Sequence, residues 1–281
     1  MQALYQKYIF EEHFPFNVYI TDDPEFPPHW HEDYEIVYNL DKPFEMGIND
    51  EIVLLKTGDI VVVSSNDIHY FLSQPKPRNR IIVQFNGDLL GMYSDFDKNM
   101  RFSKPLIKKC DSSNSTHALL ERQILSIEHE NSEKKNGYKL VVMARLYDFI
   151  SLLIRNVETC KYSVEELATN RSRLSKLEKV FVYVDKNYNK SITLEKISKI
   201  ADYSIYHFTR FFKNATGMTF ITYLNNYRIY KASVMLIETD ETITEIAYNS
   251  GFESIKTFNR VFKEIKRTSP TGYRKLFTTT S

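Results

Sequence analysis

The stretch SIYHFTRFFK at residues 204–213 returns as SIKTFNRVFK at 254–263, with six of ten letters identical. Such a repeat confines the second half of the chain to two similarly built units. Upstream, TLEKIS (193–198) matches TITEIA (242–247). Each of these blocks opens on Thr, a good N-cap, and carries an acid in its first turn, where the helix dipole favours negative charge. Leu194 with Ile197, and Ile243 with Ile246, set apolar side chains one turn apart. The second inter-helix turn is one residue longer, and its Gly251 can take the positive φ that tight turns often need. Ser204 and Ser254 cap the helices that follow. Each unit therefore reads as a helix, a tight turn and a second, capped helix.

The second helices share one face and differ on another. Phe208 and Phe212 match Phe258 and Phe262 at i and i+4, a core stripe with Ile205 and Ile255 along it or at its edge. Tyr206, His207 and Thr209 become Lys256, Thr257 and Asn259, while Arg210 and Lys213 recur as Arg260 and Lys263. A constant scaffold with a variable polar face is what two readers of different base sequences need, and constant cations suit phosphate or guanine. The plainer alternative is a duplicated helical hairpin in a scaffold; two copies are too few for a solenoid. Charge favours the DNA reading. Residues 176–281 hold 17 Lys and Arg against 10 Asp and Glu, leaving 20 against 26 for residues 1–175. Only the C-terminal part is fit to attract a polyanion.

Residues 1–85 read differently. VYI, EIVYNL, EIVLL, DIVVV and RIIVQF are short β-branched and aromatic runs broken by turn formers, the pattern of a sandwich or barrel. Residues 86–113 are polar and irregular; 115–130 and 138–157 carry helical periodicity, the latter with a wide apolar stripe that covers the sheet or forms a dimer seam. Residues 158–175 are poor in apolar side chains and are expected to be a linker. From 176 onward the period is helical, with breaks near Asn187, Asp202, Gly217, Asp240 and Gly251. No apolar run reaches the length of a membrane span, the N-terminus lacks the pattern of a secretion signal, and Cys110 and Cys160 form no disulfide or metal pattern. A cytoplasmic protein is expected.

The segment ITEIAYNSGFESIKTFNRVFKEIKRTSPTGYRK resembles the signature of the AraC/XylS family of bacterial transcription regulators. The matching letters are Ile246, Ala247, Gly251, Phe252, Ser254, Phe258, Arg260, Phe262, Lys263, Ser269, Pro270, Tyr273 and Arg274. The upstream copy, with TGMTFITYLNNYRI (Gly217, Phe220, Tyr223, Leu224, Arg228), resembles the family's first unit. The resemblance implies two helix-turn-helix units joined by a central helix near 218–237, both second helices entering adjacent major-groove segments of double-stranded DNA. It implies base-facing roles for Tyr206, Thr209 and Arg210, and for Ile255, Lys256, Thr257 and Arg260. Arg210 or Arg260 could instead pair with a helix acid, Tyr206 could pack on the central helix, and Ile255 could offer only apolar contact. Lys213, Lys263 and Lys266 read as phosphate contacts or as solvated cations.

PPHWHEDYEIVYNL (27–40) sets His29, His31 and Glu35 at H-x-H-x3-E, and GDIVVVSSNDIHYF supplies His69. On a strand His29 and His31 face the same way. This resembles the cupin barrel, whose metal-binding members use that set, and a similar barrel is the small-molecule sensor of AraC/XylS regulators. Three readings stay open: a divalent metal on His29, His31, Glu35 and His69; a metal-free effector pocket lined by Trp30, His31, Tyr34, Tyr38, His69 and Gln84; or structural histidines. No cofactor is required by the second or third. The expected architecture is α+β: a cupin-like β-barrel with helices (1–157) that senses an effector, with a sugar one candidate, and dimerises; a linker (158–175); and an all-α DNA-binding domain (176–281). RNA polymerase becomes a partner if the chain is an activator. The competing class is a cupin-type metalloenzyme, a dioxygenase or isomerase, with a helical appendage, but no catalytic base beyond the ligand set announces itself. A repair protein would want a reactive Cys in an ordered motif.

Overall fold

The computed structural model describes residues 14–22, 26–49, 51–72, 79–91, 100–113 and 115–278. The chain divides into two compact units, one made mainly of residues 29–170 and the other of residues 171–278, with Phe26–Pro28 grouped with the latter.

The N-terminal unit is built on two antiparallel sheets. The first runs in the order β1 (Phe16–Thr21), β8 (Arg80–Phe85), β3 (Tyr34–Asn39), β6 (Ile60–Val63), β10 (Leu106–Ile107). The second runs β2 (Phe26–His29), β7 (His69–Phe71), β4 (Phe44–Ile48), β5 (Glu51–Leu55). All five runs read as strands from the sequence lie in these sheets. β2, β4 and β7 carry weaker signals: β2 contains Pro27 and Pro28, and β7 is three residues long.

β3 is buried on both faces, and alternation sorts its side chains. Tyr34, Ile36 and Tyr38 join Phe16, Val18, Ile60, Val62, Ile81, Val83 and Phe85 in one core. That core is closed by helices α2 (Thr116–Glu133) and α3 (Tyr138–Asn156) through Leu120, Ile124, Ile127, Val142, Leu146, Phe149 and Leu153. The wide apolar stripe of α3 thus does cover a sheet. On the other face of β3, Glu35 looks toward the second sheet. The guanidinium of Arg80 lies 3.8 Å from the Phe71 ring, and the Asn39 side-chain amide donates to the Leu55 carbonyl at 3.2 Å, so the two sheets face each other.

Residues 86–113, expected to be irregular, contain the short helix α1 (Asp88–Gly91) and strands β9 (Met100–Phe102) and β10. The segment 158–175 is also ordered: β11 (Thr159–Lys161) pairs antiparallel with β9, and helix α4 (Val164–Asn187) follows. Its low apolar content reflects a half-exposed helix rather than absent structure.

The C-terminal unit is helical: the second half of α4, then α5 (Leu194–Ile200), α6 (Ile205–Thr216), α7 (Phe220–Glu238), α8 (Ile243–Asn249), α9 (Ile255–Lys266) and α10 (Pro270–Thr278). α7 serves two cores. Its Phe220 and Tyr223 meet Phe212 at ring-centroid distances of 5.5 Å, and Phe181 stacks on Tyr223 at 4.8 Å. Farther along, Ile229, Ala232 and Leu236 pack with Ile246, Ala247, Phe252, Phe258, Val261 and Phe262. Among the described residues no helix is long and apolar enough to cross a membrane.

Candidate functional site

The helical repeat is also a repeat of caps. Thr193 and Thr242 accept from the backbone N–H of Lys196 and Glu245; Ser204 and Ser254 accept from His207 and Thr257. Thr219 then caps α7, and the Ser269 hydroxyl accepts from the Gly272 N–H. These side chains satisfy amide groups that a helix start leaves without partners. The second unit adds a full capping box, since Glu245 accepts in return from the Thr242 N–H.

The turns explain the glycine. Gly251 has φ of 90°, and a Cβ there would stand 2.3 Å from the Tyr188 carbonyl oxygen. In the first unit the left-handed residue is Asp202, φ 57°, whose carboxylate meets Lys179 at 2.8 Å.

α6 and α9 bury Phe208 with Phe212, and Phe258 with Phe262, and turn polar faces to solvent. Tyr206, Thr209, Arg210 and Lys213 are exposed on α6; Lys256, Thr257, Arg260 and Lys263 are exposed on α9. Tyr206, 65% exposed, does not pack away against α7. The Arg210 guanidinium lies 5.8 Å from its ring. Ile255 is half-buried, a departure from the open position expected of a base reader. The Thr209 hydroxyl donates to the Tyr206 carbonyl, and Arg260 pairs with Glu264 at 3.2 Å. Lys266, expected on phosphate, is half-buried with its Nζ 6.0 Å from the Tyr273 ring centroid. His207 and Asn259, on the variable polar faces, are exposed as well, and the exposed Asn214 widens the face of α6.

The sequence reading gave no role to two clamps. Arg228 donates to the Tyr188 and Lys190 carbonyls, locking the loop that Gly251 approaches. Arg274 donates to the Leu236, Thr239 and Glu241 carbonyls at the end of α7. Their recurrence after each second helix was the available signal, and both capture the last carbonyls of a helix or the loop beyond it.

In the N-terminal unit the structure brings His29, His31, Glu35 and His69 together. One ligand atom from each lies within 4.8 Å of the others, and all four residues are buried. Glu35 comes from β3, His69 from β7 and His29 from β2, with His31 just before β3. Nδ1 of His31 lies 2.9 Å from the Asp33 carbonyl oxygen, and Nδ1 of His69 lies 2.9 Å from that of Asp67. A carbonyl only accepts, so each Nδ1 carries a proton and each Nε2 faces inward. These Nε2 atoms stand 3.4 Å and 3.7 Å from the Glu35 carboxylate. The Gln84 amide donates to Glu35 Oε2 at 2.7 Å. Burial alone would push the Glu35 carboxyl up, but the neighbouring His69 and His31 imidazoles hold it well below the usual range, the charge of His69 foremost. Burial would likewise lower His69, and Glu35 outweighs it, leaving the imidazole raised.

The effector set divides. His31, His69 and Gln84 converge on Glu35, and Trp30 is buried nearby in sequence. Tyr34 and Tyr38 do not line that interior. They lie on the opposite face of β3, where Tyr34 stacks on Phe85 at 5.6 Å and the Tyr38 hydroxyl donates to Glu121 of α2 at 2.6 Å. The period of two along β3 separates both tyrosines from Glu35.

A two-sheet domain with a buried polar interior, on a chain with paired helix-turn-helix units, defines the class of ligand-sensing DNA-binding proteins. Two family models match: an AraC-like ligand binding domain over residues 19–150 and a helix-turn-helix domain over 197–276. The Tn10 TetD protein of Escherichia coli is 35% identical over 99 residues, covering 35% of this chain and 72% of TetD. The HTH-type transcriptional regulator YdeC of Bacillus subtilis (strain 168) is 23% identical over 258 residues, covering 89% and 86%. The solved C-terminal domain of the response regulator yesN from Fusobacterium nucleatum is 30% identical, covering 36% of this chain and 98% of that one, TM-score 0.35. The chain spans 28% of the length of the Staphylococcus aureus regulators it matches. The chain belongs to the AraC family of helix-turn-helix transcriptional regulators.

Proposed function

We infer that the chain reads a specific double-stranded DNA sequence through α6 and α9 and that a small molecule bound in the N-terminal domain controls that reading. The observation that carries the inference is the pair of Ser-capped helices, each exposing a cationic polar face over a buried Phe pair. Tyr206, Thr209 and Arg210 read bases in one groove segment; Lys256, Thr257 and Arg260 read the next, with Ile255 limited to apolar contact. Lys213 and Lys263 hold phosphates. Sensing works by shifting the population of arrangements in which the DNA-binding unit is presented. Homodimerisation is part of the reading: Leu125 on α2 and Leu140 on α3, 41% and 78% exposed, offer an apolar face for a second copy.

The test is selection of bound genomic fragments by the purified chain, with and without cell extract. A shared operator motif is expected, with occupancy altered by a component of the extract. No enrichment of any motif at low ionic strength would sink the DNA reading. Turnover of a substrate by the chain without DNA would favour a metalloenzyme instead.

A further inference from the structure

We propose that the gap between the free edges of β5 and β10 takes up an extended segment of a partner protein as one further strand, with acidic side chains outward and apolar side chains inward. The proposal goes beyond DNA reading and effector sensing and depends on neither.

Both edges turn backbone groups outward. β5 ends the four-stranded sheet and β10 the five-stranded one, and no strand of the described residues pairs with either outer edge. In an antiparallel ladder a residue sends its N–H and C=O to the same side, and the sides alternate along the strand. The Leu72 N–H donates to the Glu45 carbonyl at 3.2 Å, so Glu45 bonds away from β5. Its register partner on β5 is Leu54. Leu54, and Ile52 two residues before it, therefore direct N–H and C=O to the free edge. On the other sheet the Pro105 carbonyl accepts from the Val62 N–H at 2.9 Å, so Leu106, opposite Val61, directs its backbone groups away from β6. The Asp59 carboxylate closes one end of the gap, accepting from the Lys56 and Lys109 N–H groups, each at 2.8 Å. β5 and β10 both run toward that end, so a strand entering between them can run antiparallel to each, the more stable pairing.

The groove between the edges has a volume of about 910 Å³ and is lined from both sheets. Its side chains follow the alternation of their strands. Val53 and Leu55 are buried, whereas Ile52, Leu54 and Lys56 are exposed. On the other wall Ile107 packs against the core, and Lys104 and Lys108 are exposed. An inserted strand thus sets one row of side chains inward, with Val53, Leu55 and Ile107, and the other outward, with Lys56, Lys104 and Lys108. Apolar residues suit the first row. Acids suit the second, since opposite charges on neighbouring strands attract. Lys109 adds a fourth ammonium group, and among the described residues none of the four forms an ion pair. The acids lining the groove are fewer: Asp59, whose two oxygens are taken by backbone amides, and the exposed Glu51 and Asp111. Lysines along a free edge repel a second copy of that edge, so an acidic partner, and not another copy of this chain, is the fitting occupant.

The test titrates the full chain into a fluorescent peptide of alternating Glu and Val, and into its Lys–Val counterpart, at low ionic strength. Saturable binding of one acidic peptide per chain is expected, the Lys–Val peptide is refused, and hydrogen exchange of the Ile52 and Leu54 amides slows in the complex. Leu54→Pro removes an outward N–H that the sheet itself does not use and should abolish binding. Should that variant not fold, the Glu–Val peptide N-methylated at alternate residues, added to the unaltered chain, must fail to bind. Lys104→Glu with Lys108→Glu should weaken the acidic peptide about tenfold and admit the Lys–Val one. The proposal is overturned if no acidic peptide binds up to about 1 mM, which leaves the lysines as guards that keep other strands away. It is equally overturned if the N-methylated peptide binds as well as its parent, which shows charge attraction without strand pairing. Ile52 and Leu54 amides already protected in the free chain would overturn it too, because the edge would then be covered by the chain itself.

Discussion

α6 and α9 are the same helix solved twice with different solvent faces. Both are 12 residues long, both start from a Ser cap, and both bury two Phe one turn apart. They diverge where nothing packs against them. α6 presents an exposed tyrosine beside Arg210, and position 214, one turn on, is Asn. α9 presents Lys256, and its Arg260 is held by Glu264. The incoming turns differ too: an aspartate takes the left-handed position before α6, a glycine before α9. The lesson is that shape is duplicated through caps and buried aromatics, while the two helices differ in exposed side chains that contribute little to folding.

The strongest way to break this symmetry is at the turns. Gly251→Ala should cost about 2–4 kcal/mol in urea unfolding, because the new Cβ meets the Tyr188 carbonyl in a backbone region unfavourable to Ala. Asp202→Gly should change stability by less than about 1 kcal/mol, since relief of the left-handed residue offsets loss of the exposed Lys179 pair. Equal costs at the two turns would show that the Tyr188 carbonyl does not crowd position 251 as the geometry requires.

At the reading faces, Arg210→Ala should weaken operator binding by about 1–3 kcal/mol and relax preference at one base position. Arg260→Ala should cost less, because part of that guanidinium's interaction is already engaged by Glu264. Fluorescence anisotropy with single-base operator variants measures both, and an unchanged preference in Arg210→Ala would remove that residue from the base-reading set. Removing a cap comes next: Thr242→Ala should cost about 1 kcal/mol, and Thr193→Ala somewhat less for want of a reciprocal Glu. Smallest is Glu264→Gln. Freed from an exposed pair worth at most about 1 kcal/mol, Arg260 should bind DNA slightly better. Asn214→Glu should impose the converse on Arg210.

The two units were not equally legible in sequence. The helical one was open to inspection because its signals are local: a Thr or Ser cap, an acid in the first turn of α5 and α8, apolar residues at i and i+4, a glycine at a turn. Even so, the Arg228 and Arg274 clamps escaped assignment, since their partners are backbone carbonyls 33–40 residues away. In the N-terminal unit β3 and β8 were plain runs, but β10 and β11 are two and three residues long and exist only by pairing with distant strands. Tyr34 and Tyr38 were assigned to the pocket by residue type. Alternation along one strand puts them in the helix-covered core instead.

By itself the sequence determined the duplicated helices, their caps, the Gly251 turn and the cationic faces, because each depends on neighbours within a few residues. Tertiary structure decided which side chains of the N-terminal unit meet. Glu35 reaches His69 only when two sheets close face to face, and Gln84 reaches Glu35 only through the register that sets β3 beside β8. Convergence across 34 or 49 residues of chain is a property of strand order and sheet packing, which no local pattern encodes.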